Sequence, residues 1–244
     1  MTPTCVIAVR HGESTGNVAR EAAEAERAEL ISIDQRDPDV PLSPRGEEQA
    51  AAVGRWLAGL PDGEPAVVWS SPYVRARQTA QIALATAGLD RRIRVDERLR
   101  DRELGVLDLL TGRGVTARFP EEAQRRRWLG KLYYRPPGGE SWSDVALRLR
   151  SFLADLERAE GTGGTVLVVC HDAVIMLLRY VLEGLEEAEL LELARTTMVG
   201  NGSVSRFERV DGRWRVAAFN EQDHLRAEGA PTTEHGRETD DARH

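Results

Sequence analysis

Lysine is almost missing from this chain of 244 residues. Lys131 is the only one, and every other residue among its 33 Lys+Arg is arginine. Codon bias accounts for that in general. Single arginines are read functionally only where their position suits bidentate capture of phosphate or carboxylate. Cysteine is scarce too: Cys5 and Cys170 each sit in an apolar run. Two such residues exclude a disulfide framework, and without a Cys-x-x-Cys pair they exclude a cysteine zinc site. Buried free thiols fit a reducing compartment. Aromatic residues make up only 5%, so the core must rest on Ala, Leu and Val. No apolar stretch approaches the roughly 18 residues of a membrane-spanning helix. The opening Met1-Thr2-Pro3-Thr4 has neither the basic start nor the long apolar stretch of a secretory leader, so a cytoplasmic location is expected. A basic footprint is also lacking. The formal net charge of -7 argues against general binding to nucleic acid or to a membrane surface.

What the chain does have is 41% hydrophobic residues, enough for a sizeable core. Its length allows one large domain or two small ones. Short apolar runs at Cys5–Val9, Ala66–Trp69 and Thr165–Cys170 read as strands buried on both faces, and Ile93–Val95 as a shorter one. Between them, Ser14–Leu30, Pro44–Leu60, Ser71–Ala87, Ser141–Ala159 and Ala173–Leu182 read as helices. Ser43-Pro44 and Ser71-Pro72 carry the cap-then-proline start signal. Ser203–Val210 and Trp214–Phe219 form a hairpin about Asp211-Gly212. Strands alternating with helices predict an α/β three-layer sandwich: a mostly parallel central sheet with helices on both faces. The closing strands offer an edge at which a second copy could pair as a homodimer.

The placement of the five histidines separates them. His224, His235 and His244 lie at or beyond the end of the last strand and read as solvated. His11 and His171 each follow a buried strand directly. In open α/β sheets ligands bind outside the carboxyl ends of the strands, so two histidines in matching positions can face one crevice. Arg10 beside His11 attracts an anion and disfavours the imidazolium, which suits a nucleophile that must be neutral to attack. Gly12 allows close backbone approach, the helix opening behind it presents amides to an anion, and Asn17 can donate from its amide. Arg75 lies in the first turn of the helix after Ser70-Ser71-Pro72. Arg77, two positions on, faces elsewhere and reads as solvated.

These segments resemble the histidine phosphatase superfamily, the group of cofactor-dependent phosphoglycerate mutases and related phosphatases. The matching stretches are Val9-Arg10-His11-Gly12-Glu13-Ser14, Leu42-Ser43-Pro44-Arg45-Gly46-Glu47-Glu48-Gln49-Ala50, Ser70-Ser71-Pro72-Tyr73-Val74-Arg75-Ala76-Arg77-Gln78-Thr79-Ala80, Gly138-Gly139-Glu140-Ser141, and the strand ending at His171. The resemblance implies a phosphoglycerate mutase-like fold over residues 1–225; within it the irregular stretch at about 105–139, with its Gly and Pro residues, reads as a lid-like insert, and the polar residues 226–244 read as a disordered tail. It implies that His11 accepts the phosphoryl group as a phosphohistidine. Arg10, Arg75 and His171 would bind the phosphoryl oxygens and Asn17 would add a hydrogen bond. It implies no metal and no cofactor, which agrees with phosphoryl transfer resting mainly on positioning and charge stabilisation.

The general acid departs from the pattern, which places a glutamate two residues after a leucine. Here Leu99-Arg100-Asp101-Arg102-Glu103-Leu104-Gly105 puts Asp101, one methylene shorter, at that position. Glu103 ranks second. Asp172, which follows His171 where this branch commonly has glycine, ranks third. The plainer reading of all three is a carboxylate paired with a nearby arginine: Arg100 or Arg102 for the first two, Arg10 for Asp172. In the insert, Arg113, Arg118, Arg125, Arg126, Arg127, Lys131 and Arg135 read mostly as a solvated helix face, with one or two reaching the pocket to select an acidic or polyphosphorylated substrate. Tyr133 and Tyr134 read as pocket wall or as core.

The expected function is a phosphatase that hydrolyses small phosphomonoesters through a phosphohistidine on His11. A phosphoglycerate mutase-type isomerase and a non-catalytic phospho-ligand-binding module are the alternatives. The segment Arg135-Pro136-Pro137-Gly138-Gly139-Glu140-Ser141 resembles the phosphatase-like members. An intact His11 argues against the binding module, since binding alone needs no nucleophile.

Overall fold

The computed structural model describes residues 2–60, 64–158 and 163–234. Its centre is a six-stranded sheet in the order β3-β2-β4-β1-β5-β6. The strands are β1 (Pro3–Arg10), β2 (Val67–Ser70), β3 (Ile93–Val95), β4 (Gly164–Cys170), β5 (Val204–Val210) and β6 (Arg213–Glu221). The first four are mutually parallel, while β5 runs antiparallel to β1 and closes as a hairpin with β6. The layers follow from the two-residue period of a strand. In β1, Val6 and Ala8 face one core with Val166, Val168 and Cys170 of β4. Cys5, Ile7 and Val9 face the other core, with Leu167 and Val169. The strands are apolar over Cys5–Val9 and Val166–Cys170 because both faces are buried there.

Helices α2 (Pro44–Ala58) and α3 (Val74–Ala87) cover the second face, where Val53, Leu57, Ala80 and Leu84 pack. Helices α6 (Trp142–Arg158), α7 (Asp172–Glu183) and α8 (Glu187–Thr196) cover the first, built on Leu149, Phe152, Ile175, Leu178 and Leu190. The remaining helices are α1 (Thr15–Ala25), α4 (Gly112–Arg118), α5 (Pro120–Tyr133) and α9 (Asp223–Ala227). The three-layer α/β reading therefore holds, and both cysteines are buried and free. No helix among the described residues is long and apolar enough to cross a membrane.

Several local expectations need correction. The first helix stops at Ala25 rather than Leu30. Arg27 turns left-handed (φ 54°), and the chain leaves to pair with the insert, Ile31 N–H donating to Leu109 O at 2.9 Å. Ser71 does not cap α3. Tyr73 stands at the cap position without a side-chain bond, while the Ser71 hydroxyl accepts from Tyr73 N–H at 3.2 Å, outside the helix, and meets His171. Helix α8, which apolar patterning did not single out, is closed by a capping box between Glu186 and Glu189. The expected disordered tail is seated on the domain over 228–234: Ala230 is buried, and Gln49 donates to Pro231 O at 2.7 Å and to Thr233 Oγ1 at 3.0 Å. Positions 235–244, with His235 and His244, lie outside the described residues.

Candidate active site

Strand register brings the two histidines together. Arg10 pairs with Cys170 across β1 and β4, so the next residue on each chain emerges at the same edge of the sheet. The His11 N–H extends the ladder to Cys170 O at 2.9 Å. The two rings stand 5.1 Å apart at 62°. From the neighbouring β2, Ser71 N–H donates to Val169 O at 2.9 Å, and its hydroxyl lies 2.8 Å from His171 Nε2. All these groups sit at strand carboxyl ends, where side chains of separate strands share one crevice.

His11 Nδ1 is 2.7 Å from its neighbour's carbonyl, Gly12 O. A carbonyl oxygen only accepts, so Nδ1 carries the hydrogen and the neutral ring keeps its lone pair on Nε2. The loop that sets this geometry is gripped from several sides. Gly12 N–H donates to Thr79 Oγ1 at 3.1 Å and Glu13 N–H to Gln49 Oε1 at 2.8 Å. Asn201 Nδ2 donates to His11 O at 3.1 Å. Contact with α2 is so close that a Cβ on Gly46 would lie 1.9 Å from Glu13 O, a place where only glycine fits.

Arg10 and Arg75 are both buried, with 5% and 4% of their surface exposed. Arg10 donates to Val199 O. Arg75 donates from Nη1 to Asp37 O at 2.7 Å and to Asp37 Oδ1 at 2.9 Å, and from Nη2 to Asp37 Oδ2 at 3.3 Å and Asp101 Oδ2 at 3.4 Å. The same Asp101 oxygen faces His171 Nδ1 at 3.4 Å, without a hydrogen bond from that nitrogen. His171 is fully buried. Burial first, then the charges of Arg75, His11, Arg148 and Arg10, hold its pKa well below the ordinary imidazole value, so His171 is neutral here. That makes its contact with Asp101 polar rather than an ion pair. Burial raises the Asp101 carboxyl to about 6 against the pull of Arg75, with Asp172 and Asp37 pushing the same way as burial.

Around these groups is a cavity of about 190 Å³, smaller than the roughly 300–1,000 Å³ of pockets for drug-sized ligands. Arg10, His11, Asn17, Arg75, Asp101, Glu103 and Asp172 all line it. Asn17 Oδ1 accepts from Ser14 N–H at 3.0 Å and from Asn201 Nδ2 at 3.3 Å, which leaves its amide nitrogen as the donor for a ligand. The first amides of α1 are less available than expected: Thr15 N–H goes to Pro41 O and Asn17 N–H to Ser14 Oγ.

The histidine phosphatase superfamily (branch 1) profile matches residues 6–222. The chain belongs to that superfamily. It is 34% identical to the 2,3-bisphosphoglycerate-dependent phosphoglycerate mutase of Methylobacterium radiotolerans, over 80% of this chain and 86% of that one. It is 32% identical to the 6-phosphofructo-2-kinase/fructose-2,6-bisphosphatase of Aquarana catesbeiana, over 75% of this chain and 34% of that longer protein. Among solved structures, a mycobacterial glucosyl-3-phosphoglycerate phosphatase superposes with a TM-score of 0.71 at 29% identity, covering 90% of this chain and 99% of that one. As a histidine phosphatase the chain is a phosphoryl-transfer enzyme, and phosphorylated small molecules fit its family.

The three acid candidates of this histidine phosphatase stand in different surroundings. Asp101 alone touches both Arg75 and His171. Glu103 accepts from Tyr73 OH at 2.9 Å and is about half exposed. Asp172 accepts its helix's own Ala173 N–H at 2.6 Å. Arg100 binds Glu140 at 2.5 Å and also lies 3.9 Å from Glu103, the pairing expected for that carboxylate. From the insert, Arg126 and Lys131 line the cavity, Lys131 also lying over the Trp142 ring at 4.9 Å. Arg118 and Arg135 instead bind Glu29 and Asp144. Arg113, Arg125 and Arg127 are not among the cavity's lining residues. Tyr134 is core, Tyr133 is on the surface, and Arg77 is exposed. Sequence reading missed Asp37, Asn201, Tyr73 and Arg20. Asp37 read only as half of a chain-breaking Asp-Pro, and Asn201 lies in a Gly-Asn-Gly turn that resembles any loop. Neither carries a local signal of its long-range partner.

Proposed function

We propose that the protein hydrolyses small phosphomonoesters through a phosphohistidine on His11. The orientation of His11 carries this reading, since the Gly12 carbonyl fixes a hydrogen on Nδ1, so that the neutral ring offers the lone pair of Nε2 at the wall of the cavity. Nε2 attacks phosphorus, and the bond from phosphorus to the ester oxygen breaks. Arg10, Arg75, His171 and Asn17 grip the phosphoryl oxygens, the two buried guanidinium groups being fixed beside the site before charge develops. Asp101 gives its proton to the departing oxygen. A pKa of about 6 suits that task, because an acid works best near the pH at which it operates. The Asp101 carboxylate then takes a proton from water as water attacks the phosphohistidine, which returns His11 and Asp101 to their starting states and yields inorganic phosphate.

Mycobacterial glucosyl-3-phosphoglycerate phosphatase has been solved in complex with inorganic phosphate and with VO3, and the same anions are expected to occupy this pocket. A mutase reading is favoured by the similarity to the phosphoglycerate mutase. The two readings separate in one assay. The protein is incubated with p-nitrophenyl phosphate and, separately, with 3-phosphoglycerate plus 2,3-bisphosphoglycerate. Release of free phosphate supports hydrolysis. Isomerisation without phosphate release supports the mutase and overturns the proposal.

A further inference from the structure

Arg75 has no terminal N–H left to offer. A guanidinium carries five N–H bonds, four of them on its terminal nitrogens. In Arg75, three of those four point at Asp37 and the fourth at Asp101. Asp37 reaches in from the loop between α1 and α2, at the start of the short turn Asp37–Asp39. The pairing is lopsided in exposure: the Arg75 side chain is 5% exposed and that of Asp37 is 40%. The cation is fixed in the wall, whereas the anion belongs to a partly exposed surface turn. A phosphoryl group gripped by the fork of Arg75 must take N–H bonds that a carboxylate now holds. Protonation of Asp101 releases one of them. The other three stay with Asp37 until it moves.

On the reading that Arg75 grips the phosphoryl group, we propose that Asp37 is an internal ligand of the phosphoryl site. It holds Arg75 in place while the pocket is empty and competes with any phosphoryl group for the same guanidinium, so that inorganic phosphate leaves readily after hydrolysis. The competition weakens substrate and product alike, because it acts on the one group they share, so it raises KM without a matching gain in kcat. The negative charge of Asp37 is also felt elsewhere in the pocket. Together with burial it raises the pKa of Asp101 and Asp108 and the Tyr73 hydroxyl, so an incoming anion meets a cluster already rich in negative charge.

The test is direct binding of inorganic phosphate by calorimetry, together with its inhibition of p-nitrophenyl phosphate turnover, in the whole protein and in Asp37→Asn. Loss of the carboxylate should tighten phosphate binding roughly tenfold, a factor equal to about 1.4 kcal/mol, and lower KM by a similar factor. Asp37→Ser, which keeps the backbone carbonyl on Arg75, should do the same, and Asp37→Glu should stay near the parent. A residue with only a structural role would weaken binding when replaced, so unchanged or weaker phosphate binding in both neutral variants overturns the proposal. Arg75→Ala separates this from the underlying reading. If it leaves phosphate affinity intact, the assignment of Arg75 to the phosphoryl group fails. If it abolishes phosphate binding while the neutral Asp37 variants show no gain, only the role of Asp37 fails.

Discussion

Asp101 is held between opposing forces, and its behaviour with pH follows from them. Burial raises its pKa from 3.8 to about 6, although Arg75 pulls the other way. The protonated acid is therefore abundant below about pH 6 and is depleted as pH rises through that value. For an alkyl phosphate, whose leaving oxygen needs the proton, kcat/KM should fall on that limb. For p-nitrophenyl phosphate, whose leaving group is stable as an anion, the fall should be much shallower. Asp101→Asn should cost roughly 10²–10⁴-fold on the alkyl ester and far less on the aryl one. Equal losses on both, or a larger loss in Glu103→Gln, would move the acid elsewhere. The same shift links to stability. The folded state binds this proton more tightly than the unfolded chain, so the contribution is complete below about pH 3.8 and is lost as pH rises through about 6. Asp101→Asn should accordingly melt higher than the parent above pH 6. Near pH 3.8 and below, the two should converge. His11, Arg10, His171 and Asp101 were legible in the sequence because each follows a strand or a motif at fixed spacing. Asp37 was not, because its partner Arg75 lies 38 positions away and comes near only when a loop with no periodic pattern folds over the sheet.

At the scale of elements, the site depends on how closely α2 approaches the loop after β1. Gly12 and Gly46 pack backbone to backbone: a Cβ on Gly12 would lie 2.3 Å from Gly46 O, and one on Gly46 would lie 1.9 Å from Glu13 O. Gly46→Ala should push the helix off the loop, destabilising the protein by about 1–3 kcal/mol and lowering kcat by disturbing the Gly12 carbonyl that orients His11. Denaturant unfolding and steady-state kinetics check both parts; an unaffected kcat would show that the loop holds its shape without α2. The central strands were readable because burial on both faces leaves an uninterrupted apolar run. The end of α1 was not, because Arg27 makes the left-handed turn that glycine usually signals, and the polar run Glu26–Glu29 looks equally helical. Helix α8 was hidden for the opposite reason. Its narrow apolar stripe, Leu190 and Ala194, packs on the larger core rather than standing out as a long amphipathic repeat. The insert joins the pocket through Asp108, Leu109, Arg126 and Lys131, which are spread over a turn before α4 and the helix α5, so no single stretch of sequence marked them.

Across the whole molecule, the last described residues return to the active-site loop. Thr233 O accepts from Asn201 N–H at 3.0 Å, and Thr233 Oγ1 contacts both Gln49 Nε2 and Asn201 Oδ1. Those two amides in turn hold Glu13 N–H and His11 O. Deleting residues 228–244 should leave a folded protein with turnover reduced severalfold, because the clamp on the His11 loop loosens. Circular dichroism and the kinetics of the truncated chain would show it; full turnover would mean that the seated segment has no part in the site. The central claim is more specific than fold or stability, and one measurement reaches it directly. The protein is mixed with substrate labelled in the phosphoryl group, quenched in alkali within the first turnover, and digested, and the labelled peptide is mapped. An acid-labile, alkali-stable phosphoramidate on His11, absent in His11→Ala, is the predicted result. Full turnover by His11→Ala, or label on any other residue, would contradict it.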